Sequence, residues 1–381
     1  MNTYLKINFP RQLVFGNGVL DQLVQDLKTL RCKEVVILSI VPLRDAIKPL
    51  INSLENDCVK YHIEEGIVQE PSFEDFERVI SSIALKNVDT VIGIGGGSVL
   101  DVAKLIAALL DSEQTLEEII GNGLLYKREK RLICVPATAG TGSEVSPNSI
   151  LVDPEGQKKG IISPFLVPDM VYADPLLTLS IPQAITAATG IDALTHCLEA
   201  YVNKNSQEFI DMYAFKGMQL IAENLVQAVK SGNDIEARSK VAMGSLLGGF
   251  CLGPVNTAGV HALSYPLGSM FHLPHGLSNA ILLPHVMEFS YPSNIKKYAE
   301  VAVALGCNKS ESDEETALAG IVKIKQLLAD CGVPSRLRDL NIPIDAIPQM
   351  AEDAMKITRL LVNNPREIKL NDAIEIFEKA Y

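Results

Sequence analysis

Along the first half of the chain, apolar residues fall in short β-branched runs that alternate with stretches of helical spacing. Val35-Val36-Ile37-Leu38 reads as a strand, and Pro42 soon after it suits the first turn of a helix running towards Leu54. Residues 59–63 form a weaker strand signal, because Lys60 and His62 alternate with apolar neighbours. Ser72 offers an N-cap, Asp75 stands three residues later in the manner of a capping box, and Phe73, Phe76, Val79, Ile80 and Ile83 give one buried stripe. Thr90-Val91-Ile92 runs directly into Gly93-Ile94-Gly95-Gly96-Gly97-Ser98, after which Val99, Val102, Ala103, Ile106 and Leu110 mark a helix. Residues 132–135 form another strand and lead into the small, polar run 136–144. Repeated strand–helix units of this length predict a parallel sheet with helices on both faces. After a last strand signal at residues 171–174 the pattern turns helical, over 183–201, 209–231, 235–250 and a tail from 314 to 381. The expected organisation is therefore an α/β domain over 1–180 and an all-α domain over 181–381, with the boundary near 178–182 and no internal repeat.

Composition narrows the function classes. A chain of 381 residues, 47% hydrophobic and 21% charged, buries a large core and is long enough for roughly two domains of ~150–200 residues. The net charge of −12, from 34 basic and 46 acidic residues, argues against nucleic acid or an anionic membrane surface as a partner. Seven scattered cysteines with no C-x-x-C point to free thiols in a reducing compartment, and residues 1–11 carry no signal-peptide pattern, so a cytoplasmic location is expected. Residues 241–287 contain no Asp, Glu, Lys or Arg, but their seven glycines and Pro254, Pro266, Pro274 and Pro284 leave no ~20-residue apolar helix for a membrane. Buried interior lining a site is the reading that remains.

Candidate chemistry sits at three places. Gly95-Gly96-Gly97-Ser98, between a strand and a helix, sets free backbone amides at a helix N-terminus, where the dipole favours phosphate. It does not complete G-x-G-x-x-G, since the sixth position from Gly93 is Ser98, and a ligand-free tight turn is the bland alternative. Thr138-Ala139-Gly140-Thr141-Gly142-Ser143-Glu144 offers hydroxyls at the end of the next strand, where a ligand would cross the carboxyl edge of a sheet. Asp192 and His196 lie four residues apart on one helix face, and the charge-free segment adds His261, His272 and His275, then His285. Three imidazoles and one carboxylate would take Fe²⁺ or Zn²⁺ and leave room for a substrate oxygen, while His62 and His272 suit core positions with backbone partners.

With Phe15-Gly16-Asn17-Gly18, Gly95 to Ser98 with Asp101 and Lys104, Thr138 to Glu144, Gly190 to His196, Gly259-Val260-His261, Pro274-His275-Gly276 with Asn279-Ala280, and Asn364-Pro365-Arg366 all in order, the chain resembles the iron-containing (group III) alcohol dehydrogenase family over its whole length. The resemblance implies a nucleotide-binding, Rossmann-like α/β domain and a helical metal-binding domain, with cofactor and metal in a cleft between them. It implies ligation and catalysis by Asp192, His196, His261 and His275, and a dinucleotide lined by Gly95, Gly96, Gly97, Ser98, Asp101, Thr138, Thr141 and Ser143, with Lys159 nearby. The metal would be Fe²⁺, with Zn²⁺ acceptable, acting as a Lewis acid that lowers the pKa of the substrate alcohol. Two departures stand out. Many members carry a second histidine where this chain has Tyr265, which alters any proton relay there, and Ser39-Ile40 stands where NAD-preferring members often have an acid, so NAD and NADP both remain candidates.

The expected activity is hydride transfer between NAD(P) and a small primary alcohol or aldehyde of alcohol, diol or lactaldehyde type. Alternatives are a hydroxyacid-oxoacid transhydrogenase, a glycerol dehydrogenase or dehydroquinate synthase of the same architecture, and a non-catalytic nucleotide-binding protein. The lyase would need cations that residues 241–287 lack, and Phe250, Leu252 and Val260 as lining residues favour a short aliphatic or diol substrate over a charged one. An apolar strand at Val14-Phe15 would suit pairing across a two-fold axis, and a homodimer is expected.

Overall fold

A computed structural model describes residues 5–67, 70–84 and 86–381; the first four positions of the N-terminal stretch discussed above lie outside them. The chain divides into two compact units. The first holds residues 8–138 and 142–179, and the second holds 180–381 together with 5–7 and 139–141. The short segments 5–7 and 139–141 therefore part from the α/β residues that surround them in sequence. Leu5, Ile7 and Ala139 pack on the helical core, which explains that grouping.

The first unit is built from β1 (Gln12–Phe15), α1 (Leu20–Leu30), β2 (Glu34–Leu38), α2 (Arg44–Asn56), β3 (Lys60–Glu64), α3 (Phe73–Ile83), β4 (Thr90–Gly95), α4 (Gly97–Leu109), β5 (Gly121–Asn122), β6 (Arg131–Pro136), β7 (Asn148–Val152), β8 (Lys158–Ile162) and β9 (Met170–Ala173). Six strands form an all-parallel sheet in the order β1-β9-β6-β4-β2-β3. Both faces are covered. Val36, Leu38, Val91 and Cys134 pack against Phe76, Val79, Val102 and Ile106, whereas Val35, Ile37, Ile92 and Val135 pack against Leu23, Leu27, Ile47 and Leu50. Burial on two faces is why β2 and β4 read as continuous apolar runs without alternation. The edge strand β3 is only half-buried, which accounts for Lys60 and His62 in it, and His62 is satisfied by Glu34 at 2.7 Å and Lys86 at 2.8 Å. The capping box at Ser72 forms with both of its hydrogen bonds.

Strand order reverses between β2 and β4, the place where ligands of open parallel sheets bind, outside the carboxyl ends. A small second sheet, β5-β8-β7, was not expected from the apolar pattern. Its antiparallel pair turns at Asp153-Pro154-Glu155-Gly156, with Gly156 at φ +77° and its N–H donated to the Asp153 carbonyl.

The second unit is helical throughout: α5 (Gln183–Val202), α6 (Glu208–Lys230), α7 (Ile235–Leu252), α8 (Gly259–Phe271), α9 (His275–Ser290), α10 (Ile295–Ala304), α11 (Asp313–Asp330), α12 (Ile347–Met355), α13 (Thr358–Leu361) and α14 (Leu370–Ala380). The charge-free segment is the end of α7 with α8 and α9. Its helices tolerate Pro266 and Pro284 because they are short and buried against neighbours, and none of the described helices is long and apolar enough to cross a membrane. Phe250, Leu252 and Val260 are interior packing residues; Phe250 lies against Tyr213 with ring centroids 5.6 Å apart, and Val260 belongs to the helical core.

Candidate functional site

On α5, Asp192, His196 and Glu199 recur at intervals of four and three residues, so their side chains leave the same face of the helix. All three are buried. Oδ1 of Asp192 is the focus: it lies 3.8 Å from Nε2 of His196, 3.5 Å from Nε2 of His261 and 3.7 Å from Nε2 of His275. Donor atoms of Asp192, His261 and His275 all fall within 4.8 Å of one another, and His196 joins them by stacking its ring on that of His261, centroids 4.8 Å apart.

His261 is held from behind. Its Nδ1 lies 2.6 Å from Oε2 of Glu199, and the same carboxylate accepts the backbone N–H groups of Ala258 at 2.9 Å and Val260 at 2.6 Å. No side chain of its own caps the N-terminus of α8, so Glu199 both caps that helix from a neighbour and orients the imidazole at its third residue. A histidine that donates through Nδ1 presents the Nε2 lone pair, the form a metal requires.

His275 opens α9 directly after Pro274. A Cβ on the next residue, Gly276, would lie 2.3 Å from the carbonyl oxygen of Ala188, so only glycine lets α9 approach α5 closely enough to bring His275 to Asp192. One turn later, Asn279 points its Nδ2 at Oδ1 of Asp192 (2.7 Å), Nε2 of His261 (3.1 Å) and Nε2 of His275 (3.3 Å). Its Oδ1 is buried without a partner. Three acceptor atoms thus converge on one small donor, the environment a divalent cation would need.

The ionisable groups of the site are strongly coupled. Burial would raise the Asp192 carboxyl, but the imidazoles around it, His196 first, hold it well below the usual carboxylate range. Burial would lower His261, yet Glu199 and Asp192 push it up to about 10. His196 is lowered by burial, which the nearby Asp192 only partly offsets. A cation bound here would displace the Nε2 proton of His261, and the resulting donor set of one carboxylate and three imidazoles fits Fe²⁺ or Zn²⁺.

In the first unit, Gly95 pairs with Pro136 in the β4–β6 register, so Gly96-Gly97-Ser98 and Thr138 follow the carboxyl ends of adjacent strands. Gly96 is the N-cap of α4 and supplies no side-chain hydrogen bond to it; a Cβ there would press Thr138 at 3.4 Å. Bare amides at a helix start suit a phosphate. Asp101 and Ser143, expected beside the dinucleotide, also bond to each other and to Lys104. The Ser143 hydroxyl donates to Asp101 at 2.5 Å and accepts from the buried Lys104 ammonium at 2.8 Å. Asp101 also takes the N–H of Ile150, and Lys104 reaches the carbonyls of Ser146 and Asn148. These groups stitch α4 to the 143–150 segment and hold the loop in shape. Lys159 lies on β8, paired with Asp153 at 3.0 Å and with Gln157 at 3.1 Å.

Glu144, at the end of that loop, is buried, and burial pushes its carboxyl up to about 7 against the weaker pull of a backbone N–H and Lys104. Below its ordinary value of 4.5 the group is protonated in folded and unfolded chains alike. As pH climbs from there to about 7, the unfolded chain releases a proton that the folded chain keeps, and stability falls by about 3 kcal/mol. Glu144→Gln removes this component. Urea unfolding is expected to show the variant gaining about 3 kcal/mol on the native chain between pH 4.5 and pH 8; parallel pH profiles for the two proteins contradict it.

Spacing alone did not single out Glu199 or Asn279. Glu199 lay in plain view seven residues beyond Asp192, but its partners are 59 to 62 positions away, and Asn279 becomes a donor to the site only when α9 docks on α5.

The chain is similar to known proteins along most of its length. Residues 10–175 match the family model for iron-containing alcohol dehydrogenase, and residues 186–381 match the C-terminal model of the Fe-containing alcohol dehydrogenase family. The long-chain-alcohol dehydrogenase 1 of Geobacillus thermodenitrificans is 37% identical over 382 residues, covering 99% of this chain and 96% of that protein. The 1,3-propanediol dehydrogenase of Klebsiella pneumoniae is 34% identical, covering 88% and 87%. A crystal structure of a 1,3-propanediol oxidoreductase superposes with a TM-score of 0.95 at 32% identity, over 99% of this chain and all of that one. On this sequence similarity and this fold, the chain belongs to the iron-containing alcohol dehydrogenase family and is an oxidoreductase of the alcohol–aldehyde class.

Proposed function

We propose that this protein moves a hydride reversibly between NAD or NADP and a small primary alcohol or aldehyde, with Asp192, His196, His261 and His275 holding Fe²⁺ and Zn²⁺ as the acceptable substitute. The observation that carries the reading is the convergence of three imidazole nitrogens on Oδ1 of Asp192 within 3.8 Å, in a buried setting. A divalent ion in this donor set supplies Lewis acidity at the substrate oxygen. The chain's own contribution is preorganisation. Glu199 fixes the tautomer of His261, and Asp192 offers one negative charge, which retains a dication without neutralising it. Gly95, Gly96, Gly97, Ser98, Asp101, Thr138, Thr141 and Ser143, with Lys159, are the residues assigned to the dinucleotide, and Lys104 holds Ser143 in place. Ser39, buried at the end of β2 with its hydroxyl unpartnered, offers no carboxylate to repel a 2′-phosphate, so either nicotinamide cofactor suits.

The seven free thiols suit a cytoplasmic setting, and the outer edge of β1 suits pairing with a second copy. The test follows absorbance at 340 nm as NADH and NADPH are oxidised by a panel of short aldehydes, using chelator-stripped protein with and without added Fe²⁺ or Zn²⁺. Turnover is expected only with metal, at least about 100-fold above the stripped sample. Equal turnover without metal would remove the proposed centre from the reaction.

A further inference from the structure

Tyr265 lies on α8 one turn beyond His261, and its buried ring sits 6.1 Å, centroid to centroid, from that of His275. Nη2 of Arg359 donates to its hydroxyl at 3.0 Å, with the guanidinium carbon 5.9 Å from the ring. Arg359 belongs to α13, where Nδ2 of Asn363 holds its backbone carbonyl. The residue is exposed, and among the described residues no carboxylate forms an ion pair with it. Residues 241–287, which supply two of the metal ligands, contribute no charged side chain of their own. The fold therefore brings a guanidinium, from more than 90 positions away, to within one phenol ring of the proposed metal centre.

A guanidinium has five N–H donors in a planar fork, and Tyr265 takes only one of them. The remaining donors match a carboxylate, which a guanidinium binds through two parallel hydrogen bonds. We propose that Arg359, steadied by Tyr265, receives the anionic end of the substrate, so that the preferred aldehyde carries a carboxylate a few carbons from its carbonyl. This rests on the dehydrogenase reading above and specifies its substrate class. The reaction is then OHC–(CH₂)n–COO⁻ + NAD(P)H + H⁺ → HOCH₂–(CH₂)n–COO⁻ + NAD(P)⁺: the nicotinamide gives a hydride to the carbonyl carbon, and the oxygen takes the proton. It departs from the expectation, drawn from Phe250, Leu252 and Val260, of a short aliphatic or diol substrate.

The test compares 4-oxobutanoate with butanal, matched in chain length, on metal-loaded protein. The native enzyme is expected to favour 4-oxobutanoate in kcat/KM by at least about tenfold. Arg359→Met should lower kcat/KM for 4-oxobutanoate about 100-fold more than for butanal, chiefly through KM, and Arg359→Lys should recover part of the difference. Calorimetric binding of 4-hydroxybutanoate to the holoenzyme, weakened in Arg359→Met, supplies a readout free of turnover. Equal losses for both aldehydes would show that Arg359 only braces Tyr265, and a native enzyme indifferent to the carboxylate would equally overturn the proposal while leaving the dehydrogenase reading intact. Turnover of neither aldehyde refutes the dehydrogenase reading; the anion site then stands or falls on the calorimetry alone.

Discussion

Asp192→Asn is expected to strip the protein of its metal and to lower kcat/KM by at least about three orders of magnitude. Oδ1 of Asp192 lies within 3.8 Å of all three imidazole Nε2 atoms, and it also receives the Asn279 amide. The substitution keeps shape and volume but removes the only negative charge among the four proposed ligands. An amide oxygen is a far weaker partner for a divalent ion than a carboxylate. Metal content by elemental analysis and turnover at 340 nm should fall together. The variant should still fold, since the carboxylate lies at the end of a network that a neutral group of equal size can fill. A variant that kept one metal ion per chain and more than a tenth of native turnover would show that the centre lies elsewhere.

How far the sequence announced all this differs from residue to residue. The β4-to-glycine transition was legible because a fully buried strand must be apolar throughout and because consecutive glycines have few other uses. His261 and His275 were legible through scarcity: a charge-free segment makes each histidine conspicuous. The β7–β8 hairpin was missed although Asp153-Pro154-Glu155-Gly156 is a turn sequence, because Lys158 and Lys159 mask the strand that follows it. Asp101 and Ser143 were recognised as important, but the hydrogen bonds that commit them to each other and to Lys104 are tertiary. Arg359 was beyond reach, since nothing local to a four-residue helix near the C-terminus says that it will dock beside Tyr265. Residues whose role is set by one helix face or one strand end can be read from spacing, whereas residues that act by holding another residue in place appear only once the helices are packed.

Glu199 shows what such a residue can do, and its variants should separate support from ligation. In Glu199→Gln, the carbonyl oxygen can still accept a backbone N–H from Ala258 or Val260, but the amide NH₂ has to face one of the remaining donors. The relief open to it is a change of tautomer at His261: Nδ1 accepts from the new amide, and the ring proton moves to Nε2. That proton occupies the lone pair the metal needs. Metal affinity, measured by competition with a chelator, is therefore expected to drop 10–100-fold, with turnover restored by excess Fe²⁺ or Zn²⁺ because the ligands themselves are intact. Glu199→Ala should behave differently. It leaves two buried backbone N–H groups and the Nδ1 of His261 without a partner and uncaps α8, at a cost of about 3 kcal/mol or more in unfolding free energy. A Glu199→Gln protein that bound metal as tightly as the native chain would show that the orientation of His261 is set by something other than this carboxylate. Rescue by metal in the glutamine variant, alongside loss of stability in the alanine variant, would identify Glu199 as the residue that couples the fold of α8 to the chemistry of the centre.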